Sequence, residues 1–178
     1  LSEVISRCQM INGLLGASLP RDHAYGFIKL GRLVECADMT TRIMDVGAGD
    51  IMERAGRFGA IDPLLWGALL QALSAAAAYR REVGPIIEKD AALNFIFLSS
   101  TFPRSIKYFV RETRKELMRL NNHDLAIRAV ERLRRRLTRL DAEHFMSGEL
   151  HDYIEDFQLQ LTSLDAAIQA TWFSWENT

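Results

Sequence analysis

Apolar residues recur along most of this chain every three or four residues, which is the spacing of one face of an α-helix. In the first segment the recurring residues are Val4, Cys8, Ile11 and Leu15. The next segment predicts a long helix that Asp22 caps and that runs to about position 46, because an aspartate side chain accepts hydrogen bonds from the free N–H groups at a helix start. No segment alternates between apolar and polar residues as a half-buried β-strand does.

Turn and capping residues divide the rest of the chain into five more predicted helices. Asp62-Pro63 is a typical helix start and Gly84-Pro85 a typical helix end, so one helix spans the segment between them. The others are predicted over 91–98, from Ser100 or Thr101 to 120, over 126–140 and over 149–172. Seven helices with short connections predict an all-α bundle. We expect one helical domain over residues 1–178, itself part of a larger helical domain.

The composition is that of an ordinary folded domain, with 178 residues of which 48% are apolar and 25% are charged. No apolar stretch approaches the roughly 20 residues that cross a bilayer. No charged and apolar leader opens the chain, which begins at Leu1 and so suggests a missing upstream portion. Cys8 and Cys36 lack metal or redox spacing and fit a reducing cytoplasm, so we expect a cytoplasmic protein. We also expect no metal and no cofactor, on the residues considered below.

The string from Ile43 to Asp50 looks like the glycine-rich loop with which methyltransferases hold S-adenosylmethionine. Such a loop needs a buried strand before it and a helix after it, whereas the preceding residues have helical spacing and carry charge. We therefore predict that Gly47 lies just past the end of the second helix in the left-handed conformation. Residues 47–61 then form a flexible connection with room for one short helix.

The second predicted helix carries a stripe of alternating charge. At 100° per residue, Glu35, Asp38, Arg42 and Asp45 fall on one face, with Arg32 beside them. Three interpretations are open: an interlocked network between helices, which we favour, a ladder of weak surface pairs, or a polar site that faces a ligand.

Residues in this helix and after it resemble those of the bacterial alpha-E domain, an all-helical family named for a Glu-Arg motif. In the helix, the similar segments are Leu30-Gly31-Arg32, Glu35, Ala37-Asp38 and Thr40-Thr41-Arg42. Further along they are Trp66, Tyr79-Arg80, Phe102-Pro103-Arg104-Ser105 and Thr171-Trp172-Phe173, so the chain resembles the C-terminal half of a full domain. Where the family has arginine after the motif glutamate, this chain has Cys36, so Arg32 or Arg42 must supply the cation or the pair is dispensable.

The resemblance implies partner proteins and does not imply a reaction. Alpha-E domains are encoded beside, or fused to, ATP-grasp ligases and transglutaminase-like proteins in systems that make or modify peptides. The resemblance implies no activity for the domain itself.

Charge is unevenly distributed in the second half of the chain. Residues 104–139 hold twelve basic and four acidic groups, whereas residues 141–178 hold eight acidic and no basic groups. We expect the basic and acidic helices to pack side by side and to neutralise each other, which argues against binding of nucleic acid or membrane. His151 and Glu155, four residues apart, make two metal ligands and not a site, so we interpret them as solvated.

Arg104 and Ser105 follow Pro103 at a predicted helix start, where free N–H groups favour an anion. We favour a capped helix with a surface arginine over an anion site, and Tyr79 and Arg80 join this group only if the fold brings them near.

Two functions remain. In the first, the chain is a non-catalytic module that binds a ligase-type enzyme or its peptide-like product through the stripe of Arg32, Glu35, Asp38 and Arg42. In the second, it is an enzyme for an anionic or amide-containing substrate. Arg42, Arg80 and Arg104 would then bind the substrate, and Glu35 or Asp38 would act as general base. An open pocket between carboxylate and arginine favours the enzyme, and dry, mutually paired groups favour the module.

Overall fold

The computed structural model describes residues 2–54, 62–140 and 147–174. Every regular element in these ranges is an α-helix, which confirms the predicted all-α class. The helices are α1 Ser2–Ser18, α2 His23–Arg54, α3 Asp62–Ala72, α4 Ala76–Glu82, α5 Lys89–Leu98, α6 Ile106–Leu117, α7 Asp124–Leu137 and α8 Ser147–Trp172.

Four helices form the centre of the fold. Helix α2 packs against α6 and α8, and α7 packs against the same two, so the four close into a ring around one core. The apolar positions that recur along each helix point into this ring. Among the largest side chains buried there are Leu30, Phe109 and Phe157. Phe109 and Phe157 meet edge to face with their ring centroids 6.2 Å apart.

Helices α3, α4 and α5 cover one end of this ring. Helix α3 lies on α2, α5 lies on α6, and α3 also contacts α4 and α5. The helix predicted from Asp62 to the Gly84-Pro85 turn is divided in two, because Ser74 takes a φ of 55° that interrupts helical geometry. Gly84 ends α4 with a φ of 134°, a conformation that glycine adopts readily.

The prediction that α2 ends at Gly47 is wrong. Helix α2 continues through Gly47 and Gly49 to Arg54. Gly47 serves packing instead of termination, because a Cβ at this position would lie 2.7 Å from Cδ1 of Leu69 on α3. The missing side chain therefore allows α2 and α3 to approach closely. Of the predicted connection over 47–61, residues 55–61 lie outside the described ranges.

Helix α6 begins later than predicted. Neither Ser100 nor Thr101 caps it, because the cap is Ser105 and the helix begins at Ile106. The Ser99 hydroxyl instead accepts hydrogen bonds from the backbone N–H groups of Thr101 and Phe102, at 3.3 and 3.1 Å. These bonds hold the backbone at residues 99–102 in a turn, and the Thr101 hydroxyl donates to Glu82 Oε2, so the helix begins only after this turn. Helix α2, by contrast, starts as predicted, with the Asp22 carboxylate accepting from Tyr25 N–H at 3.1 Å.

Helix α1 stands apart from the core, and none of its described residues is buried. Val4, Met10 and Leu14 keep 58 to 61% of their surface exposed. No described helix has both the length and the apolarity needed to cross a membrane.

Candidate functional site

A groove runs between α2 and α8, and we call it the α2–α8 groove. It encloses about 480 Å³ and is open to solvent on one side. Its polar lining comes from Glu35, Asp38 and Arg42 on α2, and from Glu155, Gln158, Thr162 and Asp165 on α8. Residues 35, 38 and 42 share one face because their spacing of three and four matches the helical repeat. The structure thus brings together three of the residues that the sequence singled out.

The groove is negatively charged. Its lining holds the carboxylates of Glu35, Asp38, Glu155 and Asp165 and one guanidinium, that of Arg42. Arg42 Nε donates to Asp38 Oδ2 at 2.7 Å. That hydrogen bond, together with the attraction of the carboxylate, raises the pKa of Arg42. Three carboxylates remain in the lining after this pair, so the groove attracts cationic groups more than anionic ones.

The groove is tied together by contacts between its two helices. Thr41 is buried on α2, and its hydroxyl donates back to the helix carbonyls. The same hydroxyl accepts from Gln158 Nε2 on α8 at 3.4 Å. Further along α2, Asp45 Oδ1 lies 2.7 Å from His151 Nδ1. This hydrogen bond and the attraction of Asp45 raise the pKa of His151.

The partners of each residue in the α2 stripe distinguish the three interpretations. Asp38 and Arg42 pair with each other on one helix at the rim of an open groove, and Asp45 pairs across to α8. Glu35 makes no ion pair with Arg32 or Arg42 among the described residues, although it carries the resemblance to the Glu-Arg motif. Cys36 is half-buried and lines another recess, beside Arg32. The stripe is therefore mainly a surface feature that faces a groove. Of the interlocked network that the sequence favoured, the described residues form one pair between helices, Asp45 with His151.

The other predicted binding residues lie outside the α2–α8 groove. Tyr79 is buried, and its hydroxyl donates to the Ile86 carbonyl at 2.9 Å. The buried Ser105 hydroxyl accepts from Tyr108 N–H at 3.1 Å and donates to the Ser99 carbonyl, so it is occupied by capping. Arg80 and Arg104 are exposed, on α4 and in the turn before α6 respectively.

A charge cluster built around two buried glutamates was not predicted from the sequence. Lys29 Nζ on α2 lies 2.7 Å from Glu116 Oε1 and 3.2 Å from Glu112 Oε2, both on α6. Arg111 approaches Glu112 to 2.9 Å, and Arg119 lies 3.5 Å from Glu116. Glu112 and Glu116 share the buried face of α6 with Phe109 and Thr113 at helical spacing. This spacing was the one feature of the sequence that indicated burial of the two glutamates.

The cluster favours the charged form of its members. Burial opposes the charge on Lys29, but its hydrogen bonds to Glu116 and Glu112 outweigh that effect and raise the pKa of Lys29. Burial likewise opposes the charge on Glu112. Hydrogen bonds from Arg111 and Lys29 outweigh it and lower the pKa of Glu112. The cluster therefore joins α2 to α6 as a satisfied ionic contact, and its polar groups are engaged with one another.

The acidic groups of the groove are spread along it and do not converge. No group of three or more His, Cys, Asp or Glu residues in the described ranges is arranged to hold a metal ion. Glu155 and Asp165 stand ten residues apart on α8, roughly 15 Å at 1.5 Å per residue, so a ligand that contacts both of them must be extended.

The sequence matches a known protein family. The Alpha-E family model, described as "A predicted alpha-helical domain with a conserved ER motif", matches residues 1–173, nearly the whole chain. No curated protein and no solved structure matches the chain.

Proposed function

The chain belongs to the Alpha-E family, and from that premise we propose that it is a non-catalytic accessory module of a peptide-making or peptide-modifying system. In this role it docks on an ATP-grasp ligase, in a system that also includes transglutaminase-like proteins. It holds an extended, positively charged segment of the peptide product in the α2–α8 groove.

The observation that carries this proposal is the charge and shape of the groove. Four carboxylates line it against one guanidinium, and Asp38 already occupies that guanidinium. Extended peptides bind in such grooves through spaced polar contacts, and a lysine or arginine side chain or a free amino terminus satisfies a carboxylate best. Gln158 and Thr162 add an amide and a hydroxyl that suit a peptide backbone.

Helix α1 supports the docking part of the proposal. Its apolar side chains Val4, Ile5, Met10, Ile11 and Leu14 are exposed. Exposed apolar side chains that group on one element are typical of surfaces that a protein partner covers. We assign this helix to the ligase, which leaves the groove free for the peptide.

One observation favours the second candidate, an enzyme with its own polar site. Glu35 and Asp38 line the same open groove as Arg42, so a carboxylate and an arginine could contact one substrate. The negative charge of the groove argues against an anionic substrate and leaves an amide-containing one. In this role Glu35 acts as the general base, because Asp38 is paired with Arg42.

Peptide binding tests the groove directly. We expect fluorescent peptides rich in lysine to bind the chain saturably, and peptides rich in glutamate not to bind. Asp165→Asn should weaken binding about tenfold, the effect of losing one charged hydrogen bond. The matched control, Asp152→Asn, removes an exposed carboxylate of α8 that does not line the groove, and it should leave affinity unchanged. Equal affinity for both peptide classes would refute the assignment.

Co-expression with the ATP-grasp ligase tests the module against the enzyme. We expect the two proteins to co-purify, Leu14→Glu to break the complex, and Asp165→Asn to leave the complex intact. Glu35→Gln then separates the candidates, because product should still form if the chain is an accessory and should cease if Glu35 is a catalytic base. Absence of a complex, together with unchanged product in every variant, would exclude both roles.

A further inference from the structure

We propose that a recess between α7 and α8 binds a phosphorylated small molecule that also carries hydroxyl or amino groups. We call it the arginine recess. It encloses about 520 Å³, and its lining includes Arg132, Arg135, Arg136, Arg139, Tyr153 and Gln160. It shares no lining residue with the α2–α8 groove, so it stands independently of the function proposed above.

The spacing of the four arginines puts them on one side of the chain. Positions 132, 135, 136 and 139 follow one another at intervals of three, one and three, which places them on one face of the helical turn. Beside this face, Leu133 and Leu137 are buried in the ring of helices. The apolar stripe therefore fixes how α7 is rotated, and that rotation turns the arginines toward α8.

Among the described residues, the acidic helix α8 pairs with only one of these four arginines. Helices α7 and α8 pack together as the charge pattern predicted, but a single ion pair joins them within the described ranges, between Arg136 and Asp156 at 2.5 Å. Arg132, Arg135 and Arg139 make no ion pair there. Glu131, the acidic residue nearest in sequence to Arg132 and Arg135, is paired with Arg114 and Arg134 instead. Three guanidinium groups are thus left to attract an anion.

One guanidinium is held in place before any ligand arrives. The Arg136 guanidinium carbon lies 4.6 Å above the Tyr153 ring, and the Tyr153 ring meets Phe97 edge to face with the ring centroids 5.6 Å apart. The Asp156 carboxylate pairs with Nη1 of the same group. Arg136 Nε is buried and has no hydrogen-bond partner among the described atoms. A group held in this way contacts a ligand at low entropic cost.

Gln160 indicates what else the ligand carries. Its Nε2 donates to Asp156 at 2.8 Å, and this bond fixes the orientation of the amide. Its Oε1 is buried and has no partner among the described atoms, so it lacks the donor that a buried amide oxygen normally has. A phosphate supplies acceptors alone, whereas a sugar hydroxyl or an amino group supplies the donor. The volume of about 520 Å³ falls within the range of small-molecule sites and exceeds the size of one phosphate.

The same geometry disfavours a nucleic acid. Residues 132–139 extend over roughly 10 Å at 1.5 Å per residue, which spans few phosphates of a strand. The exposed carboxylates of Asp152 and Glu155 on α8 would repel a longer polyanion.

Titration calorimetry with three probes tests the proposal: inorganic phosphate, pyrophosphate and adenosine diphosphate. We expect saturable binding at one site per chain, tightest for the diphosphate that carries hydroxyl and amino groups. Arg132→Gln and Arg139→Gln should each weaken binding about tenfold, because each removes a charge-assisted contact. The matched control is Arg128→Gln, an exposed arginine of the same helix that does not line the recess, and it should change affinity less than about twofold.

A second variant tests the donor requirement. Gln160→Met keeps the side-chain volume but removes the amide, so it should weaken adenosine diphosphate binding and leave pyrophosphate binding unchanged. Equal losses in Arg128→Gln and Arg132→Gln would overturn the proposal, because they would mean attraction by diffuse charge. Tighter binding of a 20-nucleotide single strand than of any small probe, or no saturable binding of the three probes, would overturn it as well.

Discussion

Replacing Lys29 with methionine should destabilise the fold strongly, although lysine is an ordinary surface residue. Its ammonium group is the cation that approaches both Glu116 and Glu112, at 2.7 and 3.2 Å. The side chains of these glutamates are only 3 and 11% exposed. Methionine fills the same space as the lysine stem, so the change removes charge and little packing.

The loss of folding free energy is set by the buried glutamates that remain charged when Lys29 is removed. Removing one partner of a fully buried ion pair costs about 3 to 5 kcal/mol, mainly because the other charge stays buried. Lys29 keeps 29% of its side chain exposed, and Arg111 still holds Glu112 at 2.9 Å. We therefore expect a loss of about 2 to 3 kcal/mol, by discounting that range for solvent screening. In a domain of this size, the melting temperature should fall by roughly 4 to 12 °C.

Urea unfolding followed by circular dichroism measures this loss. Lys115→Met is the matched control, because Lys115 is exposed on α6 and has no ion pair among the described residues, so its cost should stay under about 0.5 kcal/mol. Adding Glu116→Gln to Lys29→Met should restore about 1 kcal/mol by removing the stranded charge. A loss under 1 kcal/mol for Lys29→Met, or strictly additive effects in the double variant, would refute the reasoning.

The dependence on pH gives the same prediction a second readout. The pKa of Glu112 is lowered, so its contribution to stability is complete above the usual value of about 4.5 and is lost as the pH falls through its folded-state pKa. The pKa of Lys29 is raised, so its contribution is complete below about 10.5 and is lost as the pH rises through its folded-state value. The difference between wild type and Lys29→Met should therefore be largest between these limits and shrink outside them.

Three further predictions follow from single contacts. Gly49→Ala should stabilise the chain by about 0.5 to 1 kcal/mol in thermal melts, because alanine favours a helix and its Cβ meets nothing within 4 Å. Gly47→Ala should gain less or lose stability, because its Cβ meets Leu69. A loss of stability in both variants would indicate that the helix ends here after all. Ser105→Ala should cost about 1 to 2 kcal/mol in urea unfolding, since it removes the cap of α6, and an unchanged midpoint would contradict the cap. The raised pKa of His151 means that its pair with Asp45 stabilises below about pH 6.5 and is lost as the pH rises through the folded-state pKa, so His151→Gln should flatten that part of the stability profile.

Local features of the sequence were predictable because their causes lie within a few residues. Helical periodicity depends on neighbours three and four positions away, so the helix class and most segments were identified from spacing alone. The cap at Asp22 and the turn at Gly84 were identified for the same reason, since each acts on its own adjacent backbone.

Features that depend on distant residues were not predictable. Gly47 was taken for a helix end because its sequence context permits one, whereas the side chain that explains it, Leu69, belongs to another helix. One side of the α2–α8 groove was predictable, because Glu35, Asp38 and Arg42 share a face of the predicted helix. The residues of α8 that line the other side were not predicted. Nothing local indicated which helix would supply it.

The sequence by itself determined that the chain is helical, where most helices lie, and which face of each is apolar, because these properties depend on side chains only three or four positions apart. The tertiary structure alone decided which faces meet. Lys29 reaches carboxylates 83 and 87 residues away, and His151 reaches Asp45 across 106 residues. Pairings at such separation depend on how the whole ring of helices packs, which rotates each helix until its apolar stripe is buried and thereby fixes every polar neighbour.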